Sequence, residues 1–249
     1  EVQNGTPVEV DQDGVGSSYQ GVDITGMARA TMDGVDYLFT ASTVQNAVSA
    51  YRILNDGTPE VTGTTGAANG LGLAAPTALV TAEVAGTTFV VVAGAGSGSL
   101  SVLKLTSGGS LFPTDHVLHG LGTRFQGVTA LTSVEFSGQT FILAGGADDG
   151  ISLLSLLPDG RLLQRGTIAD TDATTLNNIT DIAATVSGCD LAVFVASQNE
   201  VGITEFRIDI GALGGVQLAS SSGENLNGSS QNDMLAGQGG DDTLDGGAG

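Results

Sequence analysis

One stretch decides the fold: ASTVQNAVSAYRI at residues 41–53, because related sequence returns three times along the chain. The relatives are AGAGSGSLSVLKL at 93–105, AGGADDGISLLSL at 144–156 and ASQNEVGITEFRI at 196–208. Their first alanines, Ala41, Ala93, Ala144 and Ala196, lie 52, 51 and 52 residues apart. A fixed period of about 50 residues is typical of a repeat architecture.

Each repeat predicts four short strands, and residues 127–168 show the pattern most clearly. An alternating segment is followed by a nearly all-apolar one, which predicts a second strand buried on both faces. Ser-Gly, Asp-Asp-Gly and Pro-Asp-Gly sequences predict the turns. The four predicted strands are 128–136, 139–145, 151–157 and 161–168. Four antiparallel strands in each repeat predict an all-β chain, a β-propeller with blades of 51–52 residues.

The propeller is predicted over residues 1–219, with blades near 22–74, 75–125, 126–177 and 178–219. Gly57-Thr58-Pro59 begins the fourth strand of its repeat, and Gly5-Thr6-Pro7 repeats that sequence. Residues 1–21 therefore predict an extra outer strand and a connection. Two interpretations stay open: a closed ring of four blades with 4–10 as a clasp, or part of a larger ring. The segment 216–219 predicts the fourth strand of the last blade.

The composition of the chain limits the kinds of partner that it can bind. The formal net charge is −20, from 27 Asp plus Glu against 7 Lys plus Arg. Nucleic acid and anionic lipid are not expected partners, because binding phosphate requires Lys and Arg. Cys189 is the only cysteine, so an intrachain disulfide is excluded. No apolar run approaches the roughly 18 residues that would predict a membrane span, so membrane insertion is not expected.

The repeats carry a strand sequence followed by a glycine turn, as in SLSVLKL at 99–105 with Gly109-Ser110-Leu111. The same arrangement occurs in 49–53 with Asp56-Gly57. In this respect residues 22–218 resemble the lactonase-like β-propeller family. The shared residues are structural ones, and propellers of this kind serve unrelated functions.

A different repeat begins after Ser220. Asp233 and Asp242 are nine residues apart, as are Leu235 and Leu244, and glycines recur at the same interval at 228, 237 and 246. These nonapeptides match G-G-x-G-x-D-x-U-x, and residues 223–249 resemble the hemolysin-type calcium-binding (RTX) family. The resemblance implies that 220–249 form the start of an RTX β-roll that binds Ca²⁺.

Carboxylates and carbonyl oxygens are the ligands that Ca²⁺ prefers. By the resemblance, each ion lies between turns two units apart, since successive turns alternate sides. Gln231 departs from the pattern by replacing a usual glycine, and Glu224 stands where an earlier unit would have Asp. The turn at 246–249 stops before its Asp. The implied calcium ligands are Asp233, Asp242, Gly228, Asn232, Gly237, Gly239, Gly240 and Asp241.

Other candidate sites are weaker. His116 and His119 form an H-x-x-H next to Asp115, for which a surface loop is the favoured interpretation. Cys189 lies in a predicted turn and is favoured as a structural thiol. The acidic turns at 148–149 and 170–172 are favoured as hairpin and loop residues rather than metal ligands.

The sequence thus favours a calcium-associated propeller that acts as a binding or structural module for a protein or glycan ligand. By the RTX resemblance it would be a secreted or cell-surface bacterial protein, exported by a type I system. Since the export signal of such proteins follows the repeats, we expect the chain to be processed or part of a longer one. A lactonase-like secreted hydrolase is a second hypothesis. Self-assembly, with residues 1–10 completing a neighbour's last blade, is a third.

Overall fold

The computed structural model describes residues 23–249 and two short N-terminal strands, β1 (Val2–Gln3) and β2 (Thr6–Pro7). These two strands pair with each other in antiparallel fashion. The remainder of the extra strand expected at 1–21 lies outside the described residues. Among the described residues, the one helical segment is a 3-10 turn, Ala67–Asn69, and no helix is long and apolar enough to cross a membrane.

Four antiparallel sheets follow one another along the chain. The first contains β3 (Ile24–Met32), β4 (Val35–Ser42), β5 (Ala47–Ile53) and β6 (Pro59–Gly66). The second contains β7 (Pro76–Val84), β8 (Thr87–Gly94), β9 (Ser99–Leu105) and β10 (Leu111–Leu118). The third contains β11 (Ala130–Phe136), β12 (Gln139–Gly145), β13 (Gly150–Leu156) and β14 (Leu162–Ala169). The fourth contains β15 (Ile179–Ser187), β16 (Asp190–Ser197) and β17 (Ile203–Asp209).

The sheets stack face to face as the blades of a β-propeller, which confirms the predicted fold. Their first strands lie next to each other in chain order, β3 beside β7, β7 beside β11, and β11 beside β15. Three apolar layers fill the spaces between successive blades. Within the described ranges, β3 and β15 do not pack against each other in this way. The four blades therefore form an open arc.

The second strand of a blade is buried on both faces, as its apolar sequence predicts. In β12, Phe141 and Leu143 pack toward the fourth blade, whereas Ile142 and Ala144 pack toward the second. All four side chains are fully buried. A strand between two blades has no solvent face, and for this reason it lacks polar alternation.

Bulged threonines connect neighbouring blades at the first strands. The ladder between first and second strands skips Thr25 and Thr77, where β-bulges occur. A bulge re-aims a side chain. The Thr25 hydroxyl donates to the Pro76 carbonyl and that of Thr77 to the Val128 carbonyl, both at 2.6 Å. Thr129 donates to the Ile179 carbonyl in the same manner.

The outer strands have a second set of such connections. Bulged Thr62 in β6 donates to the carbonyl of Gly109 at 2.6 Å, and Thr114 in β10 donates to that of Gly160 at 3.0 Å. In the third blade, Arg165 stands at this bulge. A pocket of about 150 Å³ opens there, between β13, β14 and β17.

Strand pairing corrects the repeat alignment by one residue. Ala41, Ala93 and Ala196 face the residue directly after the bulged threonine of their own blade. In the third blade that place belongs to Gly145, opposite Ala130, and not to Ala144. The Asp-Asp-Gly hairpin of this blade is one residue shorter than its counterparts, which had shifted the alanine alignment.

The prediction that 216–219 form the fourth strand of the last blade is wrong. Residues 216–219 were expected to pair with the third strand of that blade. Instead 216–218 fall in β18 (Leu213–Leu218), which pairs in parallel with β20 (Asn232–Ala236), and Ala219 follows that strand. In the described part of the chain, β17 is thus the outermost strand of the fourth blade. The blade has three strands because the chain leaves it for the C-terminal segment after Asp209.

The C-terminal segment builds two short parallel ladders. β18 pairs with β20, while β19 (Asn225–Asn227) pairs with β21 (Thr243–Asp245). Successive strands therefore alternate between two ladders. Most partners are 18 residues apart, which is two nonapeptide units. The nine-residue period of the sequence thus appears in the structure as a pairing of every second unit.

Candidate metal centre

The parallel ladders stack the connecting turns at both of their ends. We call 211–215, 228–233 and 246–249 the first turn stack, and 219–224 and 237–242 the second turn stack. In the first stack, the Ala248 N–H donates to the Ser229 carbonyl at 2.9 Å. In the second, the Thr243 N–H donates to the Glu224 carbonyl at 2.8 Å. The predicted ligands therefore divide into two groups, with Gly228, Asn232 and Asp233 in the first stack and the other five in the second.

Asp233 joins two levels of the first turn stack. Its Oδ1 accepts the Gly215 N–H at 2.6 Å from the level below. Its Oδ2 accepts both the N–H and the hydroxyl of Ser229, in its own turn. The backbone N–H of Ser229, followed by its hydroxyl, holds the pKa of this carboxyl below the ordinary value. Asp233 is therefore ionised at neutral pH and fixed in place by the turn.

Asp242 has the equivalent position in the second turn stack. Its Oδ1 accepts the Glu224 N–H at 3.0 Å, again from the level 18 residues earlier. A carboxylate has about four lone-pair sites. Asp233 uses three of them on N–H and O–H donors, whereas Asp242 uses one. Asp242 consequently keeps the larger capacity to bind a cation.

Glu224 closes the other turn of the second stack. Its carboxylate accepts the N–H of Ser220 at 2.5 Å and the Ser220 hydroxyl at 2.7 Å. These hydrogen bonds, led by that of the Ser220 hydroxyl, lower the pKa of Glu224. Glu224 thus acts as a turn cap where the nonapeptide pattern has Asp.

Glycine is required where the turns of one stack touch. Gly240 has a φ of 109°, and a Cβ there would come within 2.7 Å of the Ser222 carbonyl carbon. A Cβ on Gly228 would overlap the Gly246 carbonyl oxygen. Close stacking brings backbone carbonyls and carboxylates together, which is the donor set that Ca²⁺ takes.

The electrostatics of this segment favour a cation. Residues 208–249 contain six carboxylates and no Lys, Arg or His. The six are Asp209, Glu224, Asp233, Asp241, Asp242 and Asp245. Negative charge that has no basic partner nearby repels itself, so a bound divalent ion would remove an unfavourable interaction.

Sequence reasoning missed the first level of the first turn stack, at 211–215. Gly214 lies against the backbone of Asn232 and Asp233, where a Cβ would come within 2.5 Å of it. The available signal was Gly214-Gly215, located two units before Asn232-Asp233. The signal is weak, because the residues that follow it resemble the fourth strand of a blade.

The predicted surface loop is wrong for His116, which is half-buried within β10, whereas His119 follows that strand. His116 Nδ1 lies 2.9 Å from the Ser101 hydroxyl. His119 Nδ1 lies 3.1 Å from the Thr123 hydroxyl and 3.5 Å from Asp148 Oδ2. Because Thr123 and Asp148 both meet the same ring nitrogen of His119, the three side chains lack the geometry of a proton relay.

Cys189 and the acidic loops complete the candidate residues. Cys189 is exposed in the turn between β15 and β16, so its thiol does not belong to the core. Asp149 accepts the Asn178 N–H at 3.1 Å, and Asp170 accepts the Thr174 hydroxyl at 2.7 Å. Over residues 23–249, no three His, Cys, Asp or Glu side chains cluster in a way that could hold a metal ion.

Comparison with known proteins gives a structural likeness but no match in sequence. No family model matches the chain, and no curated protein matches it. Among solved structures, the chain is similar to a crystal structure of a protein from Lactobacillus plantarum, with a TM-score of 0.48 and 16% sequence identity. The match covers 74% of this chain and 55% of that chain, so the chain spans about half the length of that protein.

Proposed function

We propose that the chain is a calcium-associated β-propeller, in which the C-terminal turn stacks bind Ca²⁺. One observation carries the proposal: each turn stack contains an aspartate whose carboxylate lies between turns that the parallel ladders stack 18 residues apart. Asp233 and Asp242 each bridge two levels of a stack. The carbonyls of Gly246 and Asp241 lie against the facing turns at Gly228 and Gly223. Residues 208–249 have no basic side chain.

Calcium suits these turns better than magnesium or a transition metal. Mg²⁺ demands near-ideal octahedral geometry and loses its water reluctantly, whereas Ca²⁺ accepts six to eight oxygens in irregular geometry. The turns offer carboxylate and carbonyl oxygens, and residues 208–249 have neither His nor Cys to attract Zn²⁺ or Cu²⁺. The RTX resemblance of residues 223–249 supports the same choice.

We infer that the propeller is a binding or structural module of a secreted or cell-surface bacterial protein, with a protein or glycan as its ligand. The ladders contain few buried apolar side chains, so bound calcium would supply folding energy that their core does not. Such a segment would be loose where calcium is scarce and ordered outside the cell. Millimolar affinity is sufficient for this role, as in other extracellular calcium modules.

Titration calorimetry with Ca²⁺ on the whole chain tests the proposal. We expect a dissociation constant of about 10⁻⁴ to 10⁻³ M. Asp242→Asn should weaken binding by about tenfold or more, because it removes charge from the carboxylate with most lone pairs left. Asp233→Asn should weaken it less, since most lone pairs of Asp233 already accept turn hydrogen bonds.

Asp172→Asn is the matched control, because Asp172 is an exposed loop aspartate of the propeller. It should leave calcium binding unchanged. The proposal fails if the chain takes up no calcium at millimolar concentration, or if Asp172→Asn weakens binding as much as Asp242→Asn. Mg²⁺ at the same concentration should produce a much smaller heat.

A further inference from the structure

The fourth blade has an apolar face with no blade packed on it among the described residues. Phe194 in β16 is 38% exposed. The strand ladders place it at the position of Phe39, Val91 and Leu143. Each of the four pairs with the third residue after the threonine at the start of its blade, which is Thr25, Thr77, Thr129 or Thr180. The three counterparts of Phe194 are fully buried against the following blade.

The third strand of the same blade repeats the contrast. Ile203 pairs with Ala196 and is 70% exposed. Its counterparts Val48, Leu100 and Ile151 are buried, at 0 to 1% exposure. They pair with Ala41, Ala93 and Gly145, which have the position of Ala196 in the other blades. The ladders bring Phe194 and Ile203 to the same side of the blade as their neighbours Asp181, Ala183 and Glu205, and we call this side the tail face.

The first blade shows the complementary exposure at the other end of the arc. Met27 in β3 is 68% exposed. Its counterparts Leu79 and Ile182 are 6% and 4% exposed, because each packs against the preceding blade. We call the side of β3 that carries Met27 and Arg29 the head face. The tail face therefore has the side chains that normally meet a following blade, and the head face those that meet a preceding one.

Hydrogen bonding specifies what fits the tail face. Thr25, Thr77 and Thr129 donate to the carbonyl of the residue before the bulged threonine in the next blade. Thr180 has the same place in the fourth blade, and its hydroxyl donates to the Ala196 carbonyl of its own blade at 3.2 Å. Thr25 makes the equivalent bond to Ala41 at 3.4 Å, but also donates to the next blade, a bond that Thr180 does not form with the described residues. The corresponding acceptor on a following blade would be the carbonyl of Ile24, a residue that is 40% exposed on the first blade.

Charge is complementary between the two faces. The tail face carries Asp181 and Glu205, and Glu205 stands where Ala50 and Val102 are buried in the other blades. The head face carries Arg29, at the position where Thr81 donates to the preceding blade. Glu205 already pairs with Arg207 of its own strand, at 3.0 Å. Arg29 can thus donate across the interface and offset the charge of Asp181.

We propose that the chain associates head to tail, with the tail face of one copy packing on the head face of a second copy. The contact continues the three interfaces already present between the blades of one copy. A heterologous contact of this kind closes into a ring or grows into a filament, according to the rotation between copies. The proposal is independent of calcium binding, because neither face includes the turn stacks.

Sedimentation of the whole chain over a range of concentrations tests the proposal, with and without a calcium chelator. We expect a mass that rises with concentration in both conditions. Ile203→Glu on the tail face and Met27→Glu on the head face should each reduce the mass toward the monomer. Phe112→Glu is the matched control, because Phe112 is 64% exposed on the outer strand β10 and lies on neither face.

An equimolar mixture of the two face variants gives the sharpest result. The Met27→Glu copy retains an intact tail face and the Ile203→Glu copy an intact head face. Their mixture should therefore form a one-to-one dimer although each alone is monomeric. Circular dichroism and thermal melting would establish that both variants fold.

Three outcomes overturn the proposal. The first is a wild-type chain that stays monomeric at every concentration. The second is a loss of association in Phe112→Glu equal to that in Ile203→Glu. The third is association that survives Met27→Glu but disappears when residues 1–10 are removed, which would assign the contact to exchange of the N-terminal strand instead.

Discussion

The blades and the C-terminal ladders are both β structure, yet different interactions hold them. In the blades, strands of seven to nine residues pair in antiparallel fashion, and Phe141 and Leu143 are fully buried between two sheets. In the ladders, strands of three to six residues pair in parallel. Leu226 is the best buried apolar residue of the nonapeptides at 9% exposure, whereas its partner Leu244 is 49% exposed.

This difference separates two sources of stability in one chain. Burial of a large apolar side chain stabilises the folded state by about 1.5–3 kcal/mol, and the blades contain many such side chains. The ladders contain few, and instead depend on turn hydrogen bonds to carboxylates that repel one another. The blades are consequently stable by packing alone, and the ladders should respond to ions and pH.

Phe141→Ala should have the largest effect on stability. Phe141 is fully buried between the third and fourth blades, and truncation of a buried Phe costs about 3–5 kcal/mol. We expect this loss in denaturant unfolding followed by circular dichroism, and we expect calcium to leave it unchanged. Phe112→Ala provides the comparison, because Phe112 is exposed and its truncation should change stability by less than about 0.5 kcal/mol. Equal losses in the two variants would contradict packing as the source of blade stability.

The blades could be predicted from the sequence because the repeat of 51–52 residues recurs together with an apolar second strand in each unit. A strand between two sheets must be apolar throughout, so 139–145 stood out, and glycine turns marked its ends. The last blade was harder to predict, because β18 reads as an ordinary strand by composition. β18 pairs with Asn232–Ala236, which belongs to the next segment, and such non-local pairing leaves no signature in 213–218 itself.

The candidate site was predictable in its residues but not in its hydrogen bonds. The nine-residue spacing of Asp233 and Asp242 selected both carboxylates. Which of the two keeps lone pairs for a cation depends on donors such as Ser229 in the same turn as Asp233 and Gly215 in the turn below. The head and tail faces could not be predicted from the sequence either. They are recognised because Phe194 is exposed whereas its counterparts in the other blades are buried.

Gly240→Ala should have an intermediate effect, confined to the ladders. The φ of Gly240 is 109°, and an added Cβ would press on Ser222 in the level below. A non-glycine residue in such a conformation costs of order 1–3 kcal/mol. We expect faster amide hydrogen exchange across 213–249 and weaker calcium binding, with unchanged exchange in the blades.

Gly188→Ala is its control, because Gly188 also has a positive φ, of 69°, but has open space around it. It should disturb only the turn between β15 and β16. A Gly240→Ala variant whose ladders exchange as slowly as those of the wild type would show that the turn stacks do not depend on close contact.

Lowering the pH should have the smallest effect on stability, and should loosen the ladders but not the blades. Turn hydrogen bonds lower the pKa of Asp233 from 3.8 and that of Glu224 from 4.5. A lowered pKa in the folded state means that the stabilisation is present above the unfolded values and is lost as the pH falls through the folded ones. In a calcium chelator, hydrogen exchange across 213–249 should therefore accelerate as the pH drops below about 4.5, after correction for intrinsic exchange rates.

Calcium should move this acid transition of the ladders to lower pH, because protons and the ion compete for the same carboxylates. The blades also contain carboxyls with a lowered pKa, such as Asp56 and Asp170, whose turn hydrogen bonds to Thr58 and Thr174 are the main cause. Their loss should leave the blades folded, because the apolar layers do not titrate. If the ladders and blades open together over the same pH range, with or without calcium, then the two regions share one source of stability.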